Sequence, residues 1–571
     1  MLSSLPVLRA PPFPGIRPQV ASVSAIRVDR RPESVTADRA DTDALIAAIR
    51  TARVGGTFWG ATPPVPDGPA TVLRPRSADD AQKLATEALD AGPADQVVAL
   101  LPKESWAHRA QRRLRKDGIA SMIGDVDPWP LLRPDVRVIA HGDDELVLLA
   151  QIAGAQVSVR SPGRFAPASP RRAPTIADRV FADMVAATVY RDPMTGGAAE
   201  AIDAVAMLAD WRRAIDANRG IAVATGMARW KRREIERFLW SGSHRPLPFV
   251  RSAATAVRIA KRTGGAIATW PSRSPPGLTD TAVAAGVPVC MVEDGFIRSV
   301  GLGAACVPPL SVALDMQGIH YDPSRPSDLE SLLADTQFDD ALLDRACALI
   351  DYVVDHGIGK YGAGRQDEAE ERPSDPRRRV LVTGQVEDDL SVRLGGGDVR
   401  GNFDLLVRAR AAEPDAELWY RPHPDVDAGL RRGAVPDDQA LLHADRVVRG
   451  GSMATLLDQV DGVHVLTSLA GFEALLRGRD VTVHGQPFFA GWGLTRDLAP
   501  PIVRRERRLT IVELVAGVLI LYPRYLDPQT GLPCRAERMT ERLAHQNRPA
   551  RTLLTRVRGM QGRISRLWQK G

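Results

Sequence analysis

The sequence has few cysteines, and their positions exclude two kinds of stabilising framework. Only four occur among the 571 residues, and they are widely scattered: Cys290, Cys306, Cys347 and Cys534. None of them forms a C-x-x-C pair, so neither a disulfide-stapled fold nor a zinc ribbon is supported. This cysteine usage is typical of a protein kept in a reducing cytoplasm.

Long apolar runs are also missing. The longest, Leu514–Leu521, is well short of the ~20 residues that a membrane-spanning helix needs. The proline-rich N-terminus lacks the basic start and apolar core of a secretory signal, so we expect a soluble protein. The net charge of +6 and the pI near 9.3 are mild for a chain of this length. Charge alone therefore does not indicate nucleic-acid binding.

The length predicts three or four domains, because compact domains usually hold about 100–200 residues. Residues 364–379 are charged and interrupted by proline, which is typical of a surface connection between two lobes. The predicted division is a flexible leader at 1–40, a partial module at 41–215, an N-terminal lobe at 220–375, a second lobe at 376–535 and a basic tail at 536–571.

An internal repeat relates two distant parts of the chain. Thr175-Ile176 opens a helix-like stretch that leads to Tyr190-Arg191-Asp192-Pro193, and Thr510-Ile511 opens another that leads to Tyr525-Leu526-Asp527-Pro528. Both pairs are separated by the same 335 positions. We interpret the repeat as two related modules, of which the first has kept mainly its C-terminal part; two unrelated helices that end in similar turns are the alternative.

Short β-rich runs alternate with helix-like segments from about residue 220 onward. This alternation predicts doubly wound parallel sheets, arranged as two Rossmann-like lobes with a cleft between them. The predicted strands are Pro288–Val292, Val380–Thr383, Glu417–Tyr420, Val463–Leu466 and Val481–Val483.

Chemically active side chains follow each of these strands. Ligands of open α/β sheets bind beyond the carboxyl ends of the strands, and five bland turns would be enough to reverse the chain there. The convergence therefore predicts an active site at this edge. The segments are Glu293–Ser299, Gly384–Ser391, Arg421–Asp425, Thr467–Glu473 and His484–Pro487.

Three of these residues predict a phosphate site. Ser468 stands at a strand-to-helix junction, where it either caps the helix or marks a helix N-terminus that offers N–H groups to an anion. Arg421 and His423 would add donors to the same anion, with prolines fixing their loop. A structural histidine is the other interpretation of His423.

Other patterns are weak. Gly301-Leu302-Gly303 lacks the third glycine of a dinucleotide fingerprint. Asp425-Val426-Asp427 resembles a metal-binding D-x-D, which any acidic loop produces readily. No G-x-S-x-G elbow occurs, which disfavours hydrolases of that type.

Carboxylates from two predicted lobes suggest glycosyl transfer. Glu293 and Asp294 follow one strand, whereas Asp388 and Asp389 follow another; each could also be a solvated acidic turn. An oxocarbenium-like transition state can be stabilised or trapped by one carboxylate while a second group handles the acceptor proton.

The segments that carry this chemistry resemble the capsule polysaccharide biosynthesis proteins of the KpsC/LipB type, which are retaining β-Kdo glycosyltransferases. The shared motifs occur in the family's order over about residues 220–535. They are Gly226–Lys231, Glu293–Gly303, Gly384–Asp389, Arg421–Asp425, Ser468–Ala474 and Ala490–Thr495.

The resemblance implies a GT-B-like transferase that uses CMP-β-Kdo without a metal or other cofactor. Its acceptor would be a lyso-phosphatidylglycerol-anchored Kdo linker, made in capsule biosynthesis and export. The implied location is the cytoplasm, peripheral on the inner face of the inner membrane, with a capsule synthesis or export complex as a further partner and no nucleic acid.

The resemblance also implies residue roles. Asp389 would be the nucleophile that forms a Kdo adduct, with Asp388 as the alternative, and Glu293 the acid/base. The implied substrate-binding residues are Asp294, Arg298, Ser299, Gln385, Arg421, His423, Ser468, Gly471 and Glu473.

The first part of the chain departs from the family pattern. Members often carry two complete modules, yet residues 41–215 have no counterpart of Glu293–Ser299, Asp389 or Arg421–Asp425. A weaker echo pairs Leu149–Gly154 with Leu466–Gly471 and places Gln156 where Glu473 would stand. We therefore expect a degenerate, inactive module that acts as a scaffold or as an acceptor platform.

The C-terminal tail is basic and amphipathic. From Arg551 to Gly571 it has arginines and a lysine but no acidic residue, with apolar residues every three or four positions. This pattern predicts a helix that touches an anionic membrane; a helix packed on the protein body is the alternative.

Two other functions fit the same residues. A non-catalytic capsule assembly or export factor would bind the glycolipid through the same cleft. A transferase for another CMP-activated acid sugar, such as a sialic acid, would share the phosphate site but not the sugar pocket.

Overall fold

The computed structural model describes residues 5–16, 25–27, 39–166, 175–242, 245–298, 307–360, 362–363 and 376–545. These residues form two compact units. The N-terminal unit comprises Met1–Gly220 and Leu239–Leu247, and the C-terminal unit comprises Ile221–Phe238 and Pro248–Gly571. Over the described ranges, every helix is too short or too polar to cross a membrane.

The strands of the two units are numbered in chain order. The N-terminal unit holds β1 Ala25–Arg27, β2 Ala70–Leu73, β3 Val97–Leu101, β4 Ala120–Ile123, β5 Val136–Ala140, β6 Gln156–Val159, β7 Thr188–Arg191 and β8 Ala198–Ala199. The C-terminal unit holds β9 Ile221–Thr225, β10 Phe249–Val250, β11 Ala266–Thr269, β12 Val289–Asp294, β13 Ser311–Asp315, β14 Ile358–Gly359, β15 Gly362–Ala363, β16 Arg379–Thr383, β17 Glu417–Arg421, β18 Arg446–Val447, β19 Gly462–Val465, β20 Asp480–Val483, β21 Arg496–Asp497, β22 Pro523–Leu526 and β23 Pro533–Cys534.

The helices are numbered in the same way. They are α1 Arg39–Ala52, α2 Ala78–Ala91, α3 Ala107–Lys116, α4 Glu145–Ala153, α5 Ile176–Val180, α6 Ala201–Asn218, α7 Arg232–Phe238, α8 Ala253–Thr263, α9 Leu278–Ala284, α10 Asp328–Asp335, α11 Asp340–Asp355, α12 Leu390–Gly395, α13 Asn402–Ala412, α14 Pro424–Asp427, α15 Asp437–Ala440, α16 Met453–Asp458, α17 Leu469–Leu475, α18 Ile511–Val515 and α19 Ala536–His545. Two π-helical turns, Phe181–Ala186 and Ala516–Leu521, extend α5 and α18.

The N-terminal unit is built on one parallel sheet. Its strand order is β4-β3-β2-β5-β6. All five residues of β3 are buried, as its uninterrupted apolar sequence requires of a strand covered on both faces. A smaller antiparallel sheet, in the order β1-β7-β8, belongs to the same unit.

The C-terminal unit contains two Rossmann-type lobes, which confirms the predicted α/β, GT-B-like fold. The first sheet has the order β10-β9-β11-β12-β13-β22-β23, parallel as far as β12 and antiparallel beyond it. The second is wholly parallel, in the order β18-β17-β16-β19-β20-β21. Each of the five predicted strands is found, displaced by at most one or two residues at its ends.

One hydrophobic core joins the two lobes of the C-terminal unit. It runs from Phe296 in the first lobe through Leu381 and Val465 in the second to Tyr525. The chain returns to the first sheet at β22 and β23. The second lobe therefore does not extend unbroken to residue 535 as predicted, because its last strands complete the neighbouring sheet.

The internal repeat is visible in the backbone. Thr175 and Thr510 each cap their helix in a reciprocal capping box, with Asp178 and Glu513 as the respective partners. The π-helical turn and the two strands that follow recur at the same offset of 335 residues. In each unit the first of these two strands pairs antiparallel with a strand from earlier in the chain, β7 with β1 and β22 with β13.

The weaker echo, in contrast, was aligned in the wrong register. Leu149–Gly154 lies at the C-terminal end of α4, whereas Leu466–Gly471 spans the start of α17. When the two helix N-caps, Asp144 and Ser468, are superposed in sequence, Leu149 takes the place of Glu473. Gln156 instead begins β6.

The prediction of a flexible leader is wrong for residues 5–16. Val7 and Leu8 are almost fully buried, and Phe13 packs edge-on against Trp211. Apolar side chains in this proline-rich segment find a packing surface within their own unit. Residues 364–375 of the predicted connection and 546–571 of the basic tail lie outside the described residues, so the amphipathic tail stays a prediction.

Candidate active site

A cavity of about 800 Å³ lies in the C-terminal unit and is lined from both lobes. Nine of the eleven predicted site residues line it: Glu293, Asp294, Arg298, Gln385, Asp389, Arg421, His423, Ser468 and Glu473. Of the other two, Gly471 is not among the lining residues and Ser299 lies outside the described ones. The carboxyl ends of β12, β16, β17 and β19 thus meet at one site, as open α/β sheets require.

Two adjacent carboxylates end β12, and their environments differ. Burial and the neighbouring charge of Asp294 raise the pKa of Glu293 to about 7. For Asp294, burial is outweighed by Lys231 and Arg298, whose charges hold its pKa below the usual range. Arg298 Nε donates to Asp294 at 2.8 Å and Lys231 Nζ at 3.2 Å. Asp294 is therefore a fixed anion, whereas Glu293 can exchange a proton near neutral pH.

The glycine after these carboxylates is required by close packing. A Cβ at Gly295 would lie 2.8 Å from the Cβ of Ser311 on the neighbouring strand. The backbone N–H of Gly295 donates to the Ser311 carbonyl at 3.0 Å. This explains the Glu-Asp-Gly sequence in local terms: two acids face the cavity, and the strand can then pass β13 closely.

Lys231 belongs to the site, although it received no role from the sequence. Its Nζ lies 3.3 Å from the centre of the Trp270 ring, and burial lowers its pKa while Asp294 opposes the change. An ammonium held by a ring face and a carboxylate is a rigid counter-ion. The only sequence signal for this lysine was its position at the end of the motif Gly226–Lys231.

The loop after β16 separates the roles of its two aspartates. Asp388 pairs with Arg431 at 3.1 Å on the surface. Asp389 caps α12: its Oδ1 accepts hydrogen bonds from the backbone N–H of Ser391 at 3.0 Å and from the Ser391 hydroxyl at 2.9 Å. These bonds fix the carboxylate through one oxygen while the side chain stays exposed at the cavity.

Gln385 holds a neighbouring loop in place. Its Nε2 donates to the Thr467 hydroxyl at 3.0 Å, and its Oε1 accepts from the Thr467 backbone N–H at 2.8 Å. Both ends of the amide are thereby used within the protein. Gln385 thus positions the Thr467–Ser468 junction, and its role as a substrate ligand stays a prediction.

Arg421 has a similar supporting role. Its guanidinium donates to the carbonyls of Val448, Gly450 and Gly451. Burial lowers its pKa. The arginine that was predicted to bind phosphate therefore shapes a glycine loop that lines the same cavity, because the loop turns its carbonyls toward β17.

His423 is a neutral imidazole with a defined tautomer. Its Nδ1 accepts the backbone N–H of Asp425 at 3.1 Å and so caps α14. The Nε2 atom then carries the proton and is a donor. Burial lowers the His423 pKa, which keeps the ring neutral at physiological pH. The structural and functional interpretations of this histidine are compatible, since Nδ1 caps the helix and the residue also lines the cavity.

The helix after β19 contributes residues of two kinds. Ser468 caps α17, with its hydroxyl accepting from the Ala470 N–H at 3.3 Å. Gly471, predicted as a substrate-binding residue, is a packing residue, because a Cβ there would lie 2.7 Å from the Phe489 ring. Glu473 accepts the backbone N–H of Lys360 at 3.0 Å, and burial raises its pKa.

Sequence reasoning missed Lys360, His320 and Tyr321, which also line the cavity. Burial is the largest influence on the pKa values of Glu293, Asp294 and Glu473, and the positive charge of Lys360 acts on all three. The sequence Gly357-Ile358-Gly359 just before Lys360 was a usable signal, because closely spaced glycines often mark a close backbone approach. In the structure a Cβ at Gly359 would lie 2.8 Å from the Glu473 carboxylate.

The described ranges contain no group of three or more His, Cys, Asp or Glu side chains placed to hold a metal ion. Asp427, from the D-x-D sequence, pairs instead with Arg449 at 2.7 Å. The expectation of a metal-independent reaction stays a prediction.

Comparison with known proteins places the chain in a family. The family model described as "Capsule polysaccharide biosynthesis protein" matches residues 265–525. The lipopolysaccharide-processing protein LpsZ of Rhizobium meliloti is 38% identical over 332 residues, which are 57% of this chain and 74% of LpsZ. The chain belongs to the capsule polysaccharide biosynthesis family. The resemblance to its KpsC/LipB type is confirmed.

Two further relatives of this family member define how far the likeness extends. The capsule polysaccharide modification protein LipA of Neisseria meningitidis serogroup A is 40% identical over 357 residues, 62% of this chain but 50% of LipA. The chain thus spans about half the length of the LipA proteins. A solved structure, the β-Kdo 2,4 transferase of Thermosulfurimonas dismutans KpsC, is 32% identical with a TM-score of 0.50, over 57% of this chain and 98% of the other.

Proposed function

We propose that the protein is a retaining β-Kdo glycosyltransferase that transfers Kdo from CMP-Kdo to a lipid-anchored Kdo linker in capsule biosynthesis. The observation that carries the proposal is the placement of Glu293 and Asp389, from different lobes, on one cavity that also holds a capped helix N-terminus and His423. The likeness to a β-Kdo 2,4 transferase over almost all of that protein supports the choice of sugar.

Asp389 acts as the nucleophile in this proposal. Its carboxylate attacks the anomeric carbon of Kdo while the bond from that carbon to the CMP phosphate oxygen breaks, and the electron pair leaves with CMP. The capping bonds from Ser391 to Oδ1 orient the carboxylate, so little reorganisation is needed before attack. Asp388 is the weaker candidate because its charge is paired with Arg431.

Glu293 completes the second displacement. The acceptor hydroxyl attacks the anomeric carbon of the Kdo–Asp389 adduct, its proton passes to Glu293, and the aspartate carboxylate is released. Two displacements retain the anomeric configuration. A carboxylate with a pKa raised to about 7 is a suitable base at neutral pH.

The remaining cavity residues serve the nucleotide. Ser468 lies at the N-terminus of α17, where backbone N–H groups favour the phosphate, and the Nε2–H of His423 is a further donor. Gln385 and Arg421 act on this region indirectly, by holding the 467–468 junction and the glycine loop. Glu473 offers its second carboxylate oxygen to the ribose.

The acceptor and the location follow from the same proposal. A lipid-anchored Kdo linker places the enzyme in the cytoplasm, peripheral to the inner membrane, without a metal and in contact with capsule synthesis or export proteins. In this proposal the N-terminal unit is a non-catalytic scaffold, because Asp144 and Glu145, the carboxylates that begin the helix after β5, are paired with Arg74 and Arg9.

The test is transfer by the purified full chain. The protein is incubated with CMP-Kdo and a synthetic Kdo-lipid, with CMP-sialic acid as a parallel donor, and products and intact protein are analysed by mass spectrometry. We expect one Kdo added to the acceptor and a transient Kdo mass on the peptide that contains Asp389. Binding of the glycolipid without turnover would indicate an assembly or export factor, and turnover with the sialic acid donor alone would reassign the sugar.

A further inference from the structure

A rigid turn after β13 carries two cavity residues that have no assigned role. Asp315, which is fully buried, accepts the backbone N–H of Gly318 at 2.8 Å, and on the other side Asp322 accepts the N–H and the hydroxyl of Ser324 at 3.1 and 2.6 Å. His320 and Tyr321 lie between these two anchors and line the cavity. A segment held on both sides by buried carboxylates keeps its side chains in one place.

The Tyr321 hydroxyl is a buried group in need of a partner. It makes no hydrogen bond of normal length and angle with any described residue. Burial raises the pKa of the phenol, and the negative charges of Glu293 and Asp389 act in the same direction. A contact between the phenol and the Glu293 carboxylate adds to this rise, so the hydroxyl lies close to Glu293, although the contact falls short of normal hydrogen-bond geometry. Tyr321 remains protonated at physiological pH and can only donate its proton in a hydrogen bond to an anion.

His320 supports this side chain from behind. Its ring is packed at 4.8 Å from Phe296, 5.8 Å from Phe488 and 5.2 Å from Tyr321, measured between ring centres. Burial lowers the His320 pKa to about 3, so the ring brings no charge to the cavity. An aromatic cluster of this kind fixes the orientation of the phenol.

The sugar position between Glu293 and Asp389 has an electrostatic problem. The proposed donor is an acid sugar, and its own carboxylate sits next to the anomeric carbon that these two residues must reach. Two carboxylates would repel a third in a partly desolvated site. A hydrogen-bond donor at this place removes part of that repulsion, and a buried donor that lacks a partner loses less on binding than a solvated one.

We propose that Tyr321 is a further substrate-contacting residue, whose phenol O–H donates a hydrogen bond to the carboxylate of the acid sugar and holds that sugar between Glu293 and Asp389. This inference rests on the proposed transferase function. It assigns the recognition of the sugar's charge to the first lobe, and it makes the 316–325 turn part of donor specificity.

The test is the Tyr321→Phe variant, which removes one hydroxyl and keeps the ring. Because the sugar carboxylate is charged in both the ground state and the transition state, we expect the loss mainly as a rise in KM for CMP-Kdo, with kcat/KM reduced about 10- to 100-fold. Affinity for CMP, which lacks the sugar carboxylate, should stay within twofold. The matched control is Tyr352→Phe, a tyrosine stacked on His356 and absent from the cavity lining.

Each outcome decides the matter. A kcat/KM within twofold of wild type overturns the role of Tyr321 while leaving the transferase intact. An equal loss of CMP affinity, or a Tm lowered by more than a few degrees, shows a structural role and also overturns it. If the wild-type protein turns over no CMP-Kdo, the proposed function fails first, and the inference that depends on it fails too.

Discussion

The sheet of the N-terminal unit and the second sheet of the C-terminal unit have the same design and different chemistry. Each contains five parallel strands, two on either side of a central one, in the orders β4-β3-β2-β5-β6 and β18-β17-β16-β19-β20, and the second sheet adds β21 at its edge. Both lead into a capped helix, a π-helical turn and two short strands at a constant offset. The N-terminal unit therefore shares the sheet framework of the second lobe, and different side chains line the cavity at its strand ends.

The difference is concentrated at the carboxyl edge of the sheets. The helix after β19 begins at Ser468-Leu469, whereas the corresponding helix after β5 begins at Asp144-Glu145. Asp144 accepts from Arg74 Nε at 2.8 Å, and Glu145 accepts from both terminal nitrogens of Arg9 at 2.6 and 2.8 Å. Two carboxylates thus stand where the C-terminal unit would bind an anion.

These ion pairs give both carboxylates at the sheet edge a partner inside the protein. A cavity of about 480 Å³ remains there, lined by Arg74, Asp144, Glu145 and Leu149 among others. Leu149 occupies the helix position that Glu473 has in the C-terminal unit, and the N-terminal segment supplies Arg9.

The largest expected effect separates the two units by activity. Asp389→Ala in the full chain should lower transfer by at least about 10³-fold, since it removes the proposed nucleophile. Initial rates with CMP-Kdo and a Kdo-lipid measure the change. Asp388→Asn is the matched control and should cost less than about tenfold, because Asp388 is a surface partner of Arg431.

Residual activity in the Asp389→Ala variant would contradict the assignment of transfer to Asp389 of the C-terminal unit. Transfer above a few per cent of wild type would mean either that the N-terminal unit is active or that another group is the nucleophile. An intact-mass measurement tells these apart, since an adduct on a peptide from residues 39–166 would show an active first unit.

The second prediction transfers the N-cap residue of α4 in the N-terminal unit to α17 in the C-terminal unit. Ser468→Asp places at α17 the residue that caps α4, and aspartate caps helices as well as serine does. The added carboxylate should weaken CMP binding about 10- to 100-fold by charge repulsion. Calorimetry on the full chain should give one CMP per wild-type chain.

Asp144→Ser is the reciprocal control for this exchange. It should leave CMP affinity within twofold, because the second carboxylate, Glu145, and its partner Arg9 remain. Unchanged CMP affinity in Ser468→Asp would contradict an anion site at α17. A second CMP bound by the Asp144→Ser variant would show that one carboxylate alone closes the N-terminal edge.

Much of this fold and part of the site could be predicted from sequence. Strands such as β16 and β19 are short valine-rich runs that are buried along their whole length, and the residues that follow them reach one cavity because parallel strands end at the same edge. The 335-residue repeat was readable because capping boxes and tight turns need particular residue types at fixed spacing.

The rest depended on contacts that no local pattern encodes. The contacts of Gln385 and Arg421 could not be predicted, because their polar atoms bond to loops distant in sequence. Gly471 was predicted to bind substrate, but glycine is required there because a Cβ would clash with the Phe489 ring. Residues 5–16 looked flexible by composition, and only the tertiary structure gives Val7 and Phe13 a surface to bury.

The third prediction concerns pH. If the ionised form of Glu293 is the base, transfer should rise through an apparent pKa of about 7, and Glu293→Gln should lower kcat about 10²-fold and abolish this rise. Initial rates between pH 5.5 and 9 measure it. Because Glu293 and Asp294 interact, the apparent pKa belongs to the pair.

Stability should change with pH in the opposite sense. The folded protein holds the Glu293 proton more tightly than the unfolded chain, so between about pH 4.5 and 7 stability falls as pH rises. Glu293→Gln removes this cost and should raise the Tm at pH 8 by a few degrees, with little change at pH 5. A lower Tm at pH 8 would show that the carboxylate is stabilising and that the raised pKa is wrong.

The smallest expected effect tests the ion pairs that distinguish the N-terminal unit. Arg9→Ala removes the partner of Glu145, whose side chain is 23% exposed, and should destabilise the unit by about 1–2 kcal/mol. The corresponding Tm change of its unfolding transition is roughly 2–6 °C, measured by calorimetry. Arg113→Ala is the control and should cost below about 0.5 kcal/mol, because its pair with Asp79 is largely exposed.

CMP affinity and transfer should be unchanged in both variants, since the bond from Arg9 stabilises the fold of the N-terminal unit and does not hold a ligand. A loss of transfer on Arg9→Ala with the Tm preserved would mean that the first unit contributes to the reaction in spite of its closed edge.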